Sequence, residues 1–70
     1  KRIYVTCTSA SVLYQVNGVT HRVEGILPTE KGPSAIVISP DGTRAYIANY
    51  GARSISILDT EEFIIIGRVP

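Results

Sequence analysis

Apolar residues fall along this chain in short bursts, each ended by turn formers, and the longest unbroken run is only Phe63 to Ile66. Bursts of this length between turn signals predict strands rather than helices. Seven are expected: Ile3 to Thr6, Val12 to Val16, Val19 to Gly25, Ala35 to Ile38, Arg44 to Asn49, Ser54 to Leu58 and Phe63 to Val69.

The turns between them predict the pairing. In Ser39-Pro40-Asp41-Gly42-Thr43, Pro40 presets φ near −65°, Asp41 bonds back to the backbone and Gly42 takes the left-handed conformation. An antiparallel hairpin of Ala35 to Ile38 with Arg44 to Asn49 follows. Asn17-Gly18 is the dipeptide of a two-residue hairpin with positive φ at both positions. Built around it, Val16 faces Val19, Tyr14 faces His21 and Val12 faces Val23, while Leu13, Gln15, Thr20, Arg22 and Glu24 fall on the other, mostly polar side. Asp59-Thr60 stops the sixth strand.

The pattern also repeats. Sliding Arg2 to Pro28 by 42 positions lays it on Arg44 to Pro70 and matches Arg2 with Arg44, Tyr4 with Tyr46, Ala10 with Ala52, Gly25 with Gly67 and Pro28 with Pro70. Composition alone gives roughly one or two identities over such a length. A period near 42 built of short strands is the mark of β-propeller blades, each of four antiparallel strands. The expected fold class is therefore all-β, a partial propeller: residues 2–28 form three strands of a blade lacking its innermost strand, 29–34 a linker, and 35–70 a complete blade. The ungapped alignment sets Val12 against Ser54, so a one-residue slip is expected there, with a first-repeat loop of different length.

Composition narrows the company this chain keeps. Seventy residues with 44% hydrophobic content make a small unit that needs a staple to stand alone. With Cys7 the only cysteine and His21 the only histidine, neither a disulfide nor a structural zinc site supplies one. The missing stability is expected from the remaining blades of a larger propeller or from self-association. The net charge of +1 comes from scattered basic residues, which argues against nucleic acid, and no run is long enough for a membrane span. A chain opening on Lys1 reads as a piece of something longer or a processed product.

Gly32-Pro33-Ser34-Ala35-Ile36-Val37-Ile38-Ser39-Pro40-Asp41-Gly42-Thr43-Arg44-Ala45-Tyr46-Ile47-Ala48-Asn49-Tyr50-Gly51, followed by Ser54-Ile55-Ser56-Ile57-Leu58-Asp59-Thr60, resembles the YVTN family of β-propeller repeats, and Ile3-Tyr4-Val5-Thr6-Cys7 resembles the tetrapeptide naming it. The turn alone is shared with WD-repeat-like propellers; the longer string is the specific part. Two departures stand out: Cys7 occupies the place of Asn49, and Asn17-Gly18 replaces the Asp59-Thr60 style of turn. The resemblance implies a single-chain propeller of about seven blades, of the kind found in surface-layer and other extracytoplasmic proteins and, more distantly, in lactone-hydrolysing and quinone-dependent dehydrogenase propellers. No catalytic motif of those enzymes maps onto residues of this chain.

Candidate chemistry is sparse. His21 has no positioned partner, so a cross-strand contact with Tyr14 outweighs catalysis. Cys7 in a strand suits a small buried apolar side chain. Asp59, Glu61 and Glu62 fall short of the six to eight oxygens that calcium wants, so no metal, cofactor or catalytic group is assigned; Pro40, Asp41, Gly42, Asn17, Gly18 and Asp59 are turn residues. In Tyr50-Gly51-Ala52-Arg53, Tyr50 and Arg53 are a candidate recognition pair, while the plain spacer loop is the favoured reading. The favoured function is a structural or interaction module presenting loops to a protein or glycan. The alternative is a piece of a propeller enzyme, lactonase-like or quinone-dependent dehydrogenase-like, whose catalytic residues lie in other blades.

Overall fold

The computed structural model describes residues 1–70 as two antiparallel sheets. The first has three strands in the order β1 (Arg2–Cys7), β2 (Val12–Asn17) and β3 (Val23–Pro28). The second has four, β4 (Pro33–Ile38), β5 (Arg44–Asn49), β6 (Ser54–Asp59) and β7 (Ile64–Val69), in chain order. The chain is a partial β-propeller, and the two sheets are neighbouring blades.

One face of the first blade packs on one face of the second. Leu13 of β2 is wholly buried against Ala45, Ile47 and Leu58 of β5 and β6, with Tyr4, Leu27, Ile36 and Phe63 around them. We call the packed face of the first blade its front and the packed face of the second its back. By strand alternation, Tyr4, Thr6, Leu13, Gln15, Gly25 and Leu27 share the first front, and Ala45, Ile47, Asn49, Ser54, Ser56 and Leu58 share the second back.

The turn after Ile38 forms as its residues dictate. Gly42 has φ 77°, and its N–H donates to the Ser39 carbonyl at 2.9 Å. Asp41 Oδ1 accepts from Ser39 Oγ, from the Thr43 N–H and from Thr43 Oγ1 at 2.7, 3.1 and 2.8 Å. These bonds favour the ionised carboxylate, led by the Thr43 N–H and then the Ser39 hydroxyl, and lower its pKa to about 2.

The Asn17-Gly18 hairpin takes a different form from the one expected. Neither residue has positive φ, so the two-residue turn does not close. Instead Asn17 Oδ1 accepts from the N–H groups of Val19 and Thr20 at 2.8 and 2.9 Å, and His21 turns left-handed at φ 61°. The wider turn delays β3 to Val23 and sets Val12 opposite Pro28, Tyr14 opposite Ile26 and Val16 opposite Val23. Val19 and His21 are therefore turn residues, His21 does not face Tyr14, and Leu13 lies in the core rather than on a polar side.

The supposed departure from the second repeat disappears with it. Asp59 Oδ1 accepts from the N–H groups of Glu61 and Glu62 at 2.9 and 3.0 Å, and Phe63, 42 positions after His21, has φ 55°. The same offset relates left-handed Ser11 and Arg53 and the register shifts at Gln15/Val16 and Ile57/Leu58. No slip separates the repeats, and their loops match in length. Ser54 faces inward where Val12 stands because its hydroxyl is hydrogen-bonded there: Ser54 Oγ donates to Glu30 Oε1 at 2.8 Å.

Candidate functional site

Three connections meet at one end of the two blades: Thr8 to Ser11 between β1 and β2, Thr29 to Gly32 between the blades, and the 3-10 turn Tyr50–Ala52 after β5. Backbone bonds knit them together. The Thr29 N–H donates to the Ser11 carbonyl at 2.9 Å, the Tyr50 N–H to that of Gly32 at 2.9 Å and the Ala52 N–H to that of Lys31 at 3.1 Å. Thr8 Oγ1 adds a 2.8 Å bond to the Pro33 carbonyl. Gly32 is required at this crossing, since it has φ 68° and a Cβ there would stand 2.8 Å from the Gly51 nitrogen.

On this braced platform Tyr50 stands 83% exposed. A depression of about 520 Å³ on one side of it includes Asn49, Arg53, Ser54 and Val69 in its wall. A second, of about 370 Å³, is edged by Thr8, Ser9, Ser11 and Lys31. Arg53 holds a left-handed φ of 53° and closes the turn by donating its N–H to the Tyr50 carbonyl. The expected Tyr50 and Arg53 thus share one wall, while Lys31 flanks Tyr50 from the linker.

The charge around the platform is one-sided. Glu30 is bonded to Arg68, and that bond, followed by the one from Ser54, holds its carboxyl below the usual range. Lys31 and Arg53 make no ion pair. The other carboxylates, Glu24, Asp41, Asp59, Glu61 and Glu62, lie toward the opposite end. Sequence order hid this, because antiparallel strands send successive loops to alternate ends.

Beneath the platform lies a polar network in the blade interface. Asn49 is 1% exposed, and its Nδ2 donates to Ser56 Oγ at 2.8 Å and Ser54 Oγ at 3.4 Å. Its Oδ1 has no partner. The offset of 42 puts Cys7, Val12 and Tyr14 at the places of Asn49, Ser54 and Ser56 in the first blade, so the network belongs to the second blade alone. Its only signal in the sequence was that coincident exchange of polar for apolar residues.

The remaining candidates do not gather. His21 sits in the β2–β3 turn at the opposite end, and Cys7 is half-buried on the outer face of the first blade opposite Val12. Asp59 Oδ1 is committed to its own turn, and no three His, Cys, Asp or Glu side chains converge. The arrangement on the page is suited to recognition: an exposed ring, two unpaired cations and hydroxyl-bearing rims on a rigid base.

No protein-family model matches the chain, and no curated protein sequence does. Among solved structures it is similar to part of the hydrazine synthase of Kuenenia stuttgartiensis, with a TM-score of 0.92 and 24% identity over 96% of this chain. The chain spans 19% of that protein's chain. At this identity the likeness concerns the fold alone.

Proposed function

We propose that this chain is a structural and interaction module, a stretch of a YVTN-like β-propeller that presents the Tyr50 platform to a protein or glycan and carries out no catalysis itself. In this reading residues 2–28 are a partial blade and 35–70 lie in a complete blade whose innermost strand starts at Pro33, so the linker expected over 29–34 shortens to 29–32. The observation that carries it is the platform: loops of both blades and their linker, cross-bonded through backbone, hold Tyr50 exposed between Lys31 and Arg53. A recognition surface gains from such preorganisation, because little ordering is left to be done on binding. The test is binding of the 70-residue chain to glycan and peptide arrays, repeated with Tyr50→Ala and Arg53→Ala. Ligands retained by the wild type and lost by both variants support the module. Empty arrays, or binding indifferent to both substitutions, overturn it.

A second reading is a piece of a propeller enzyme, favoured by one observation: the similar structure bears the name of a synthase. Its catalytic groups would lie in flanking blades. The flanking reading frame discriminates, by showing or lacking a cluster of His, Asp and Glu at one mouth of the central channel.

A further inference from the structure

The two depressions that flank Tyr50 are not alike. The one on the Arg53 side has Val69 of β7 in its wall, so it opens toward the face that a following blade covers in a propeller. The other, of about 370 Å³, has Thr8, Ser9 and Ser11 on one wall, Tyr50 on the opposite one, and Lys31 and Gly32 between them. Its walls and floor come from the β1–β2 turn, the linker and the β5–β6 turn, all of which the chain contains whole. Its size lies at the small end of the roughly 300–1,000 Å³ range of ligand pockets. We infer that this cleft binds a carboxylated sugar unit of an acidic glycan, with the sugar ring against Tyr50 and the carboxylate paired with Lys31.

The fold places the cation. Gly51 has no side chain, and the Lys31 stem runs past it: a Cβ at Gly51 would stand 3.1 Å from Lys31 Cγ. The stem is thus laid beside the Tyr50–Gly51 peptide, and the ammonium has no ion-pair partner. Glu30, the carboxylate next to it in the chain, is taken by Arg68. The hydroxyls of the facing wall offer hydrogen bonds of both senses. Thr8 Oγ1 donates to the Pro33 carbonyl at 2.8 Å, which leaves its lone pairs to accept. Ser11 Oγ accepts from the Gly32 N–H at 3.4 Å, which leaves its proton to donate. A ligand hydroxyl both donates and accepts, and a sugar is the ligand whose polar groups are mostly hydroxyls.

Other ligands lack the partners they need here. An extended peptide is held through the free backbone groups of a strand edge, but the Thr29, Tyr50 and Ala52 N–H groups are already bonded to the Ser11, Gly32 and Lys31 carbonyls. A phosphate is held by a nest of free backbone N–H groups or by an arginine cluster. In this cleft those N–H groups are spent, and a single lysine is the only cation in its wall. One lysine beside one aromatic face matches one carboxylate on a ring with an apolar side. The exposed Tyr50 ring presents the negative face of its quadrupole, which attracts the C–H side of a sugar ring. A glycan that continues past the ring meets Arg53, so a chain of acidic units engages both cations.

The inference rests on the recognition platform proposed above, and the two fail separately. The experiment is isothermal titration calorimetry of the chain with oligomers of galacturonate, guluronate and glucuronate and with a sialoside, each paired with its methyl ester. The esters keep the ring and remove the charge. At least one acid is expected to bind, and its ester to bind at least about tenfold more weakly, the scale of one charged hydrogen bond. Lys31→Ala is expected to lose a similar factor and Lys31→Arg to recover most of it. Tyr50→Ala should remove binding that Tyr50→Phe retains, with circular dichroism confirming the fold of each variant. No acid bound, an ester bound as tightly as its acid, or Lys31→Ala without effect overturns the inference. Neutral glycans or peptides that need Tyr50 on the arrays keep the platform and overturn the acidic sugar, and so does a phosphopeptide held through Lys31.

Discussion

Tyr4 of β1 and Phe63 of the turn before β7 stack across the blade interface, with ring centroids 6.4 Å apart and planes inclined by 23°. The contact depends on a third position, because a Cβ at Gly25 would lie 2.7 Å from Phe63 Cε2. Gly25 is bare so that the ring can lie over β3. Phe63 reaches that place by accepting a left-handed φ of 55°, a conformation that disfavours bulky side chains.

Gly25→Ala is expected to displace the ring. In a double-mutant cycle between Tyr4→Leu and Phe63→Leu, the coupling should be about 0.5–1.5 kcal/mol. Repeated in the Gly25→Ala background, it should fall toward zero. Denaturant melts of the set measure it, and an unchanged coupling means the glycine is not what admits the ring.

Two left-handed glycines separate strain from crowding. Gly42 has φ 77° with open space where a Cβ would stand, whereas Gly32 has φ 68° and meets the Gly51 nitrogen at 2.8 Å. Gly42→Ala is expected to cost on the order of 1 kcal/mol from backbone conformation alone. Gly32→Ala should cost more, and should also alter the Tyr50 amide signal. Glu61→Ala, at an exposed turn, is the control with little effect. Equal losses at all three positions contradict the turn assignments.

The Asp41 carboxyl sets an acid limit for its hairpin. Its pKa is lowered from 3.8 to about 2 in the folded chain, so its contribution is fully present above the unfolded value. That contribution declines as pH falls from there through the folded value. Stability should therefore fall between about pH 4 and pH 2 in the wild type, and this part of the slope should be absent in Asp41→Asn. Carboxyl NMR titration of Asp41 checks the pKa directly; an ordinary Asp value there removes the prediction.

What was legible in the sequence was whatever local chemistry settles. The Ser39-Pro40-Asp41-Gly42 turn, six of the seven strands and their offset of 42 follow from short-range preferences and from self-similarity; the third strand, expected over Val19 to Gly25, runs from Val23 to Pro28. The Asn17 turn was misread because the dipeptide Asn17-Gly18 signals two different loops. The choice went to the one in which Asn17 Oδ1 caps two N–H groups and Gly18 N–H bonds to the Lys1 carbonyl at 2.6 Å, the latter a contact from the residue just before β1. The slip expected at Ser54 has a related cause: the partner that accepts its inward-facing hydroxyl, Glu30, lies 24 residues away. Tyr50 and Arg53 could be named from their loop, but the part played by Lys31 depends on the crossing of two connections.

The Asn49 amide is the most consequential polar group in the interface. It is almost wholly buried, with its nitrogen bonded to two serines and its oxygen unpartnered. Asn49→Ala leaves both serine hydroxyls short of a donor in a closed space, and is expected to destabilise by about 1–3 kcal/mol. Ser56→Ala in that background should restore part of the loss, because it removes one of the stranded groups, whereas alone it should destabilise by stranding the amide. The sign of the second step therefore reverses with the first, which simple loss of packing does not produce. Equilibrium melts of the four proteins in the cycle measure it; additive losses would falsify the claim that Asn49 and Ser56 act as one unit.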